Sequence, residues 1–186
     1  MRFKQYLNES INGIEDREEI LALIKKDCKP FLTDWRKLKT DDFLLSGRND
    51  KTFFTKKQVR KDRKPLDTLL DIHKLLDDWF YKKFGVRSRS NAVFCSFDII
   101  ITSGYGTPYL VFPIGKYKAV SSKNIKDLFR VAIINDEEKI IEILERGKYT
   151  DKLTYYENEG EIMITCKEYY IVNFSLADYF LENLRG

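Results

Sequence analysis

The sequence predicts an α+β fold with a mixed or antiparallel sheet. Three observations carry this. Helical periodicity clusters early in the chain, in Glu15–Lys26 and again after Pro65. Short runs rich in aromatic and β-branched residues dominate the middle and the end, bounded by Gly, Pro, Ser and Asn. The loop Gly104-Tyr-Gly-Thr-Pro108 lacks the third glycine of a dinucleotide fingerprint, and no helix is expected after it, so alternating βαβ units are not indicated.

Composition narrows the classes. A chain of 186 residues is long enough for one domain with a sizeable core. Hydrophobic residues make up 43% and charged residues 33%, which excludes a disordered chain. No apolar run approaches the ~20 residues of a membrane-spanning helix. A net charge of +4 favours anionic partners without requiring nucleic acid. Cys28, Cys95 and Cys166 show no C-x-x-C spacing, which argues against a disulfide framework or a zinc site and fits a reducing compartment. His73 is the one histidine, so Ser-His-Asp and multi-histidine metal chemistry are not expected, and no metal is.

The elements follow in order. Phe3, Tyr6 and Leu7 recur at helical spacing in a first segment too short and polar for a secretory signal. Glu15–Lys26 reads as a helix with acids leading and bases closing, Ile20, Leu23 and Ile24 inward, Leu21 on the flank, and Pro30 as its stop. Phe31–Leu45 reads as a short helix or loop on the core, and Ser46–Asp50 as a loop. Phe53–Val59 reads as a strand running into the basic stretch Lys56–Lys64. Asp67 or Thr68 would cap a long helix with Leu69, Ile72, Leu76, Trp79 and Phe80 on one face, and Gly85 would end it. His73 reads as a partly buried helix residue. Ala92–Phe97 and Tyr109–Ile114 read as strands, and Asp98–Ser103 fits a short helix or more strand. Lys116–Val120 is expected to pair beside Tyr109–Ile114. Asn124–Ile134 and Asp136–Arg146 read as helices. A strand follows Glu161, with Tyr169–Asn173 as its partner, and Leu176–Leu184 closes as a helix.

Two stretches could carry chemistry. In Glu159-Gly160-Glu161-Ile162, an extended backbone sets both carboxylates on one face about 7 Å apart. Acids before a strand often do no more than solvate a turn, and Glu157 extends the same run. The stretch Lys56–Lys64 holds six basic residues and one acid. Such a run reads as a solvated face or a nucleic-acid patch, whereas a strand end presenting Arg60 or Arg63 suits a pyrophosphate.

Taken in order, an Arg at a strand end, a long helix, Arg89-Ser-Asn-Ala-Val-Phe-Cys-Ser96, Ser103-Gly-Tyr-Gly-Thr-Pro-Tyr-Leu-Val-Phe-Pro-Ile-Gly115 and Glu159-Gly-Glu-Ile-Met-Ile164 resemble the ADP-ribosyltransferase superfamily over about residues 53–174. Arg63–Thr68 is similar to a branch of phage proteins within it. The resemblance implies a split mixed or antiparallel β-sheet core, N-terminal helices and a long helix after the first core strand. It implies NAD as substrate and residues 51–186 as the transferase-like domain, after a helical segment 10–50. By it, Arg60 or Arg63 holds NAD. Ser90, Phe94 and Ser96 occupy the second signature, with Phe94 stacking on nicotinamide and Tyr105 covering it. Glu161 matches the catalytic position and Glu159 the upstream one, in a form associated with arginine as acceptor. The Ser-Thr-Ser triplet of the family is missing, which leaves the subclass open.

Leu7-Asn8-Glu9 before Ser10 resembles a prohead-protease site, which implies a head-targeting propeptide over residues 1–9 and a protein found in the virion head or the host cytoplasm. The function implied is mono-ADP-ribosylation of a host protein during infection. The alternative is a non-catalytic virion or nucleic-acid-associated protein on the same fold, using Lys56–Lys64. RNA 2′-phosphotransferase chemistry usually relies on histidine at the second strand, where this chain has Phe94.

Overall fold

The computed structural model describes residues 16–61, 63–65, 68–156 and 160–185. In chain order the helices are α1 (Arg17–Asp27), α2 (Lys29–Trp35), α3 (Leu70–Phe84), α4 (Ile99–Ser103), α5 (Phe129–Ala132), α6 (Glu137–Arg146) and α7 (Ala177–Arg185). The strands are β1 (Leu45–Arg48), β2 (Phe54–Gln58), β3 (Val93–Cys95), β4 (Thr107–Pro113), β5 (Tyr117–Ser122), β6 (Tyr149–Thr150), β7 (Ile162–Cys166) and β8 (Glu168–Asn173). They form two four-stranded antiparallel sheets, ordered β1-β4-β8-β2 and β3-β7-β5-β6. The fold is α+β, with two antiparallel sheets and no mixed one among the described residues.

The chain divides into two compact units. Among the described residues, the first takes those up to Gln58, Cys95–Tyr117 and those from Cys166 onward. The second takes Val59–Phe94 and Lys118–Thr165.

In the first unit, α1 starts at Asp16, whose Oδ1 accepts from the Glu18 and Glu19 amides at 2.7 and 3.2 Å. Ile20 and Ile24 are fully buried, as the spacing predicts. Leu21 takes a buried place and Leu23 a half-buried one, the reverse of the expected order. Pro30 does not stop α1. The helix closes at Cys28, and Pro30 occupies the first turn of α2, where its missing N–H costs nothing. Trp35 stacks on Phe43 at 4.8 Å and donates its indole N–H to Asp42 O at 2.9 Å. Phe31 and Phe112 meet edge to face at 6.0 Å.

Ser46–Arg48, expected as loop, belong to β1 and pair with Tyr109–Thr107 of β4. Turn-like composition yields here to tertiary pairing. Gly47 is needed because a Cβ there would stand 2.1 Å from Thr102 O. Asp98–Ser103 resolves as helix α4, capped by Asp98 Oδ1 on the Ile100 and Ile101 amides.

Two pairings differ from expectation. Lys116–Val120 was to pair beside Tyr109–Ile114, yet both edges of β4 are occupied, by β1 and β8. After Gly115, with φ 66°, the chain enters β5 in the other sheet instead. Likewise β8 does not partner β7. Its registers run to β2 and β4, and β7 lies between β3 and β5.

In the second unit, α3 buries Ile72, Leu76, Trp79 and Phe80 against Val120, Leu144 and Met163 among others. Gly85, with φ 72°, closes α3 in the left-handed conformation. Its N-cap is Leu69, with no side-chain hydrogen bond, so Thr68 does not cap it. Asp67 lies outside the described residues. Leu69 itself is exposed rather than on the buried face. Asn124–Ile134 is helical only over Phe129–Ala132. Ser122 Oγ accepts from the Asn124 and Ile125 amides at 3.1 and 2.8 Å, and Asp127 Oδ1 accepts from the Phe129 amide at 2.9 Å. These local bonds offer the backbone an alternative to the helix. Helix α6 runs as expected, capped by Asp136 on the Lys139 amide at 3.0 Å.

Candidate active site

Glu161 stands at the mouth of β7, the strand between β3 and β5. Its amide donates to Lys126 O at 2.7 Å. Gly160 makes that approach possible, since a Cβ on it would lie 2.2 Å from the same carbonyl oxygen and 2.3 Å from Lys126 Cα. Backbone thus meets backbone here, and the Glu161 side chain leaves from a fixed point. Part of the residue is still reached by water. Its Oε1 is buried and has no hydrogen-bond partner among the described residues.

A buried, unpaired carboxylate oxygen is costly when charged. Burial accordingly pushes the Glu161 carboxyl up to about 7. Arg89 opposes that most, Asp127 adds to it, and Arg63 opposes it more weakly. Tyr149 on β6 feels the same group: burial first, then the Glu161 charge, push its hydroxyl up.

The neighbouring strand β3 carries Phe94, which is half-buried. The Arg63 guanidinium lies 4.3 Å from its ring centroid and that of Arg89 lies 5.4 Å away. Cation and ring attract at these distances. The Arg63 amide also donates to Ser90 O at 3.4 Å.

Below this loop is a buried polar brace. Asp77, on α3 and 2% exposed, accepts from the Arg89 amide at 2.8 Å and the Ser90 amide at 3.2 Å through Oδ1. Its Oδ2 takes a short hydrogen bond from the Ser90 hydroxyl. His73 Nε2 lies 3.0 Å from the same hydroxyl oxygen and 3.7 Å from Asp77 Oδ2. Since the hydroxyl proton goes to Asp77, the imidazole acts as the donor at Nε2. Burial lowers the His73 pKa most; Asp77 opposes, and Arg89 and Arg63 add to the lowering. Asp77 contacts the serine and not Nδ1, so the three do not form a nucleophile–base–orienter chain.

Arg63, Ser90, Phe94 and Glu161 therefore fall in one unit and are linked through contacts or fields. Arg60 is exposed in the same unit. Ser96 belongs to the first unit, 2% exposed, where it bridges Leu45 and accepts from the Asp98 amide at 3.1 Å. Tyr105 also belongs to the first unit and is 74% exposed. Glu159, with Glu157, lies outside the described residues, as does the Leu7–Ser10 stretch. The basic run is partly spent on ion pairs. Lys56 meets Glu168 at 3.0 Å and Lys57 meets Asp50 at 2.6 Å.

Sequence reading passed over Asp77 and Arg89. An acid four residues after His73, beside the apolar stripe of a long helix, was the available signal for the first. Arg89 opens a motif that was read only for its serine and aromatic. Among the described residues no group of three or more His, Cys, Asp or Glu is placed to hold a metal, and no helix is long and apolar enough to cross a membrane. No family model, no curated protein and no solved structure matches the chain.

Proposed function

We propose that this chain transfers ADP-ribose from NAD to a protein acceptor, with Glu161 as the reacting carboxylate and arginine as the acceptor side chain. The observation that carries the reading is the buried, unpartnered Oε1 of Glu161, flanked by the fields of Arg89 and Arg63. NAD would supply a ribose whose bond to a cationic nicotinamide breaks heterolytically, with the electron pair leaving on nicotinamide and the acceptor nitrogen bonding the sugar carbon as it loses a proton. Such a centre is electron-poor at the transition state, and a fixed carboxylate in a low-dielectric setting stabilises it strongly. Glu161 meets that need only in its ionised form. A carboxyl at about 7 is half ionised at neutral pH, and any cation bound beside it moves it further toward the charged state.

Arg63 is better supported than Arg60 as the phosphate-holding guanidinium, because it lies beside Phe94 and within the field of Glu161. Phe94 serves as a shelf for the Arg63 guanidinium, a group whose planar fork matches phosphate oxygens. Ser90 is held in the brace by its hydroxyl, so its contribution is to fix the loop.

The test is incubation with labelled NAD and a bacterial lysate. Wild type should label a discrete protein band, and Glu161→Gln should lower that labelling by at least about a hundredfold. Equal labelling by both would remove Glu161 from the chemistry. No labelling, with no change in melting temperature on adding NAD, would remove the transferase reading.

A further inference from the structure

We infer that Arg89 is a positioning residue for Glu161: its peptide unit is held from the long helix by Asp77, and its guanidinium, beside Phe94, serves to keep the Glu161 carboxylate charged. This rests on the reading of Glu161 as the reacting carboxylate.

The placement is built in three steps. Asp77 is buried on α3 and accepts the Arg89 and Ser90 amides while its second oxygen takes the Ser90 hydroxyl. One buried side chain therefore fixes two consecutive peptide units, which leaves Arg89 little freedom at its base. The Arg89 guanidinium then lies 5.4 Å from the Phe94 ring centroid, on the strand adjacent to β7. Finally, Arg89 Nε is buried with no acceptor among the described residues, while Glu161 Oε1 is buried with no donor. A lone donor on a cation and a lone acceptor on an anion, within each other's field, are complementary.

The charged and titratable groups acting on Glu161 are Arg89, Asp127 and Arg63, and Tyr149 stands in its field from β6. Arg89 is the strongest of the three charges. Arg63, on the same aromatic ring, is weaker, so the two arginines are not interchangeable. Arg89 is therefore the guanidinium that serves the carboxylate.

The experiment is a carboxyl-carbon NMR titration of the full chain labelled at glutamate, with the Glu161 signal assigned by its loss in Glu161→Gln. Arg89→Gln should raise the Glu161 midpoint by about one pH unit. Arg89→Lys should restore most of it, Asp77→Asn should raise it in the same direction, and Arg63→Gln should move it less than Arg89→Gln does. An unchanged midpoint in Arg89→Gln, or a larger shift in Arg63→Gln, overturns the inference. If Arg89→Gln does not fold, Arg89→Lys decides: a midpoint displaced upward by less than about half a pH unit upholds the inference, and a larger upward displacement overturns it. The labelling assay is read separately. A midpoint that shifts in a chain that never labels any protein leaves the pairing standing and removes the transferase reading. Labelling with an unshifted midpoint does the reverse.

Discussion

Replacing Glu161 by Gln should make the protein more stable in alkaline solution and leave it unchanged in acid. The carboxyl rises from 4.5 to about 7 on folding, chiefly because Oε1 is buried without a donor. For a raised carboxyl, the folded state holds a proton that the open chain has lost. Its stabilising contribution is full below about pH 4.5 and is lost as pH rises through about 7. The difference corresponds to ~3 kcal/mol, a ceiling because part of the residue is still reached by water. Glutamine keeps the shape and removes the charge. At about 2–4 °C per kcal/mol for a chain of this length, the variant should at pH 8.5 melt up to roughly 6–12 °C above wild type. At pH 4.5 the two should coincide. Differential scanning fluorimetry in buffers of matched ionic strength reads both. The contrast between the two pH values is what counts, because a packing fault introduced by the amide would appear at both. A variant that is less stable at pH 8.5, or equally displaced at both, would show that the carboxylate is not buried uncompensated and would undo the reasoning.

His73 should act with the opposite sign. Its pKa is lowered in the folded state, so the stability it contributes is present above its ordinary value near 6.5 and is lost as pH falls through the folded one. Melting curves between pH 4.5 and 7.5 should show an acid-side loss in wild type that His73→Gln lacks. Gly47→Ala would set a Cβ 2.1 Å from Thr102 O and should cost about 1–3 kcal/mol, seen as a lowered melting temperature. Gly160→Ala meets Lys126 O at 2.2 Å and should cost about as much while also moving the NMR signal of Glu161. Phe80→Ala, at a fully buried position, should cost about 3–5 kcal/mol by the same measurement.

Much of the local structure was legible because single residues specify it. Gly85 ends its helix as its chemistry requires, and the stripe Ile72, Leu76, Trp79, Phe80 is buried as its spacing predicts, whereas Asp16, read inside a helix from Glu15, is its cap. What could not be read is which strand lies beside which. Lys116–Val120 has the composition of a partner for Tyr109–Ile114, but pairing depends on which edges are already taken. The loop-like composition of Ser46–Asp50 hid β1 for a similar reason: a strand with Gly47 makes sense only once Thr102 is seen pressing on it. At the candidate site, Glu161, Arg63, Ser90 and Phe94 were singled out by type and order, and they fall in one unit. Asp77 was passed over because a buried acid on a helix looks like a solvated one until its partners are known. Ser96 and Tyr105 lie close in sequence to the site but fall in the other unit.

The route of the chain through its two units has a consequence for how the protein can be made and cut. The second unit consists of Val59–Phe94 and Lys118–Thr165, with Cys95–Tyr117 inserted from the first. No truncation from either end can deliver the second unit without that insert, and none can deliver the first unit at all. A ribosome likewise starts the second unit before it can finish the first, because β8, the last strand in the chain order, fills the place between β4 and β2. The first sheet must wait, open in its middle, until Glu168–Asn173 arrives. Loss of the last twenty residues would leave β2 without its neighbour and expose the edge of β4 to pairing with other chains.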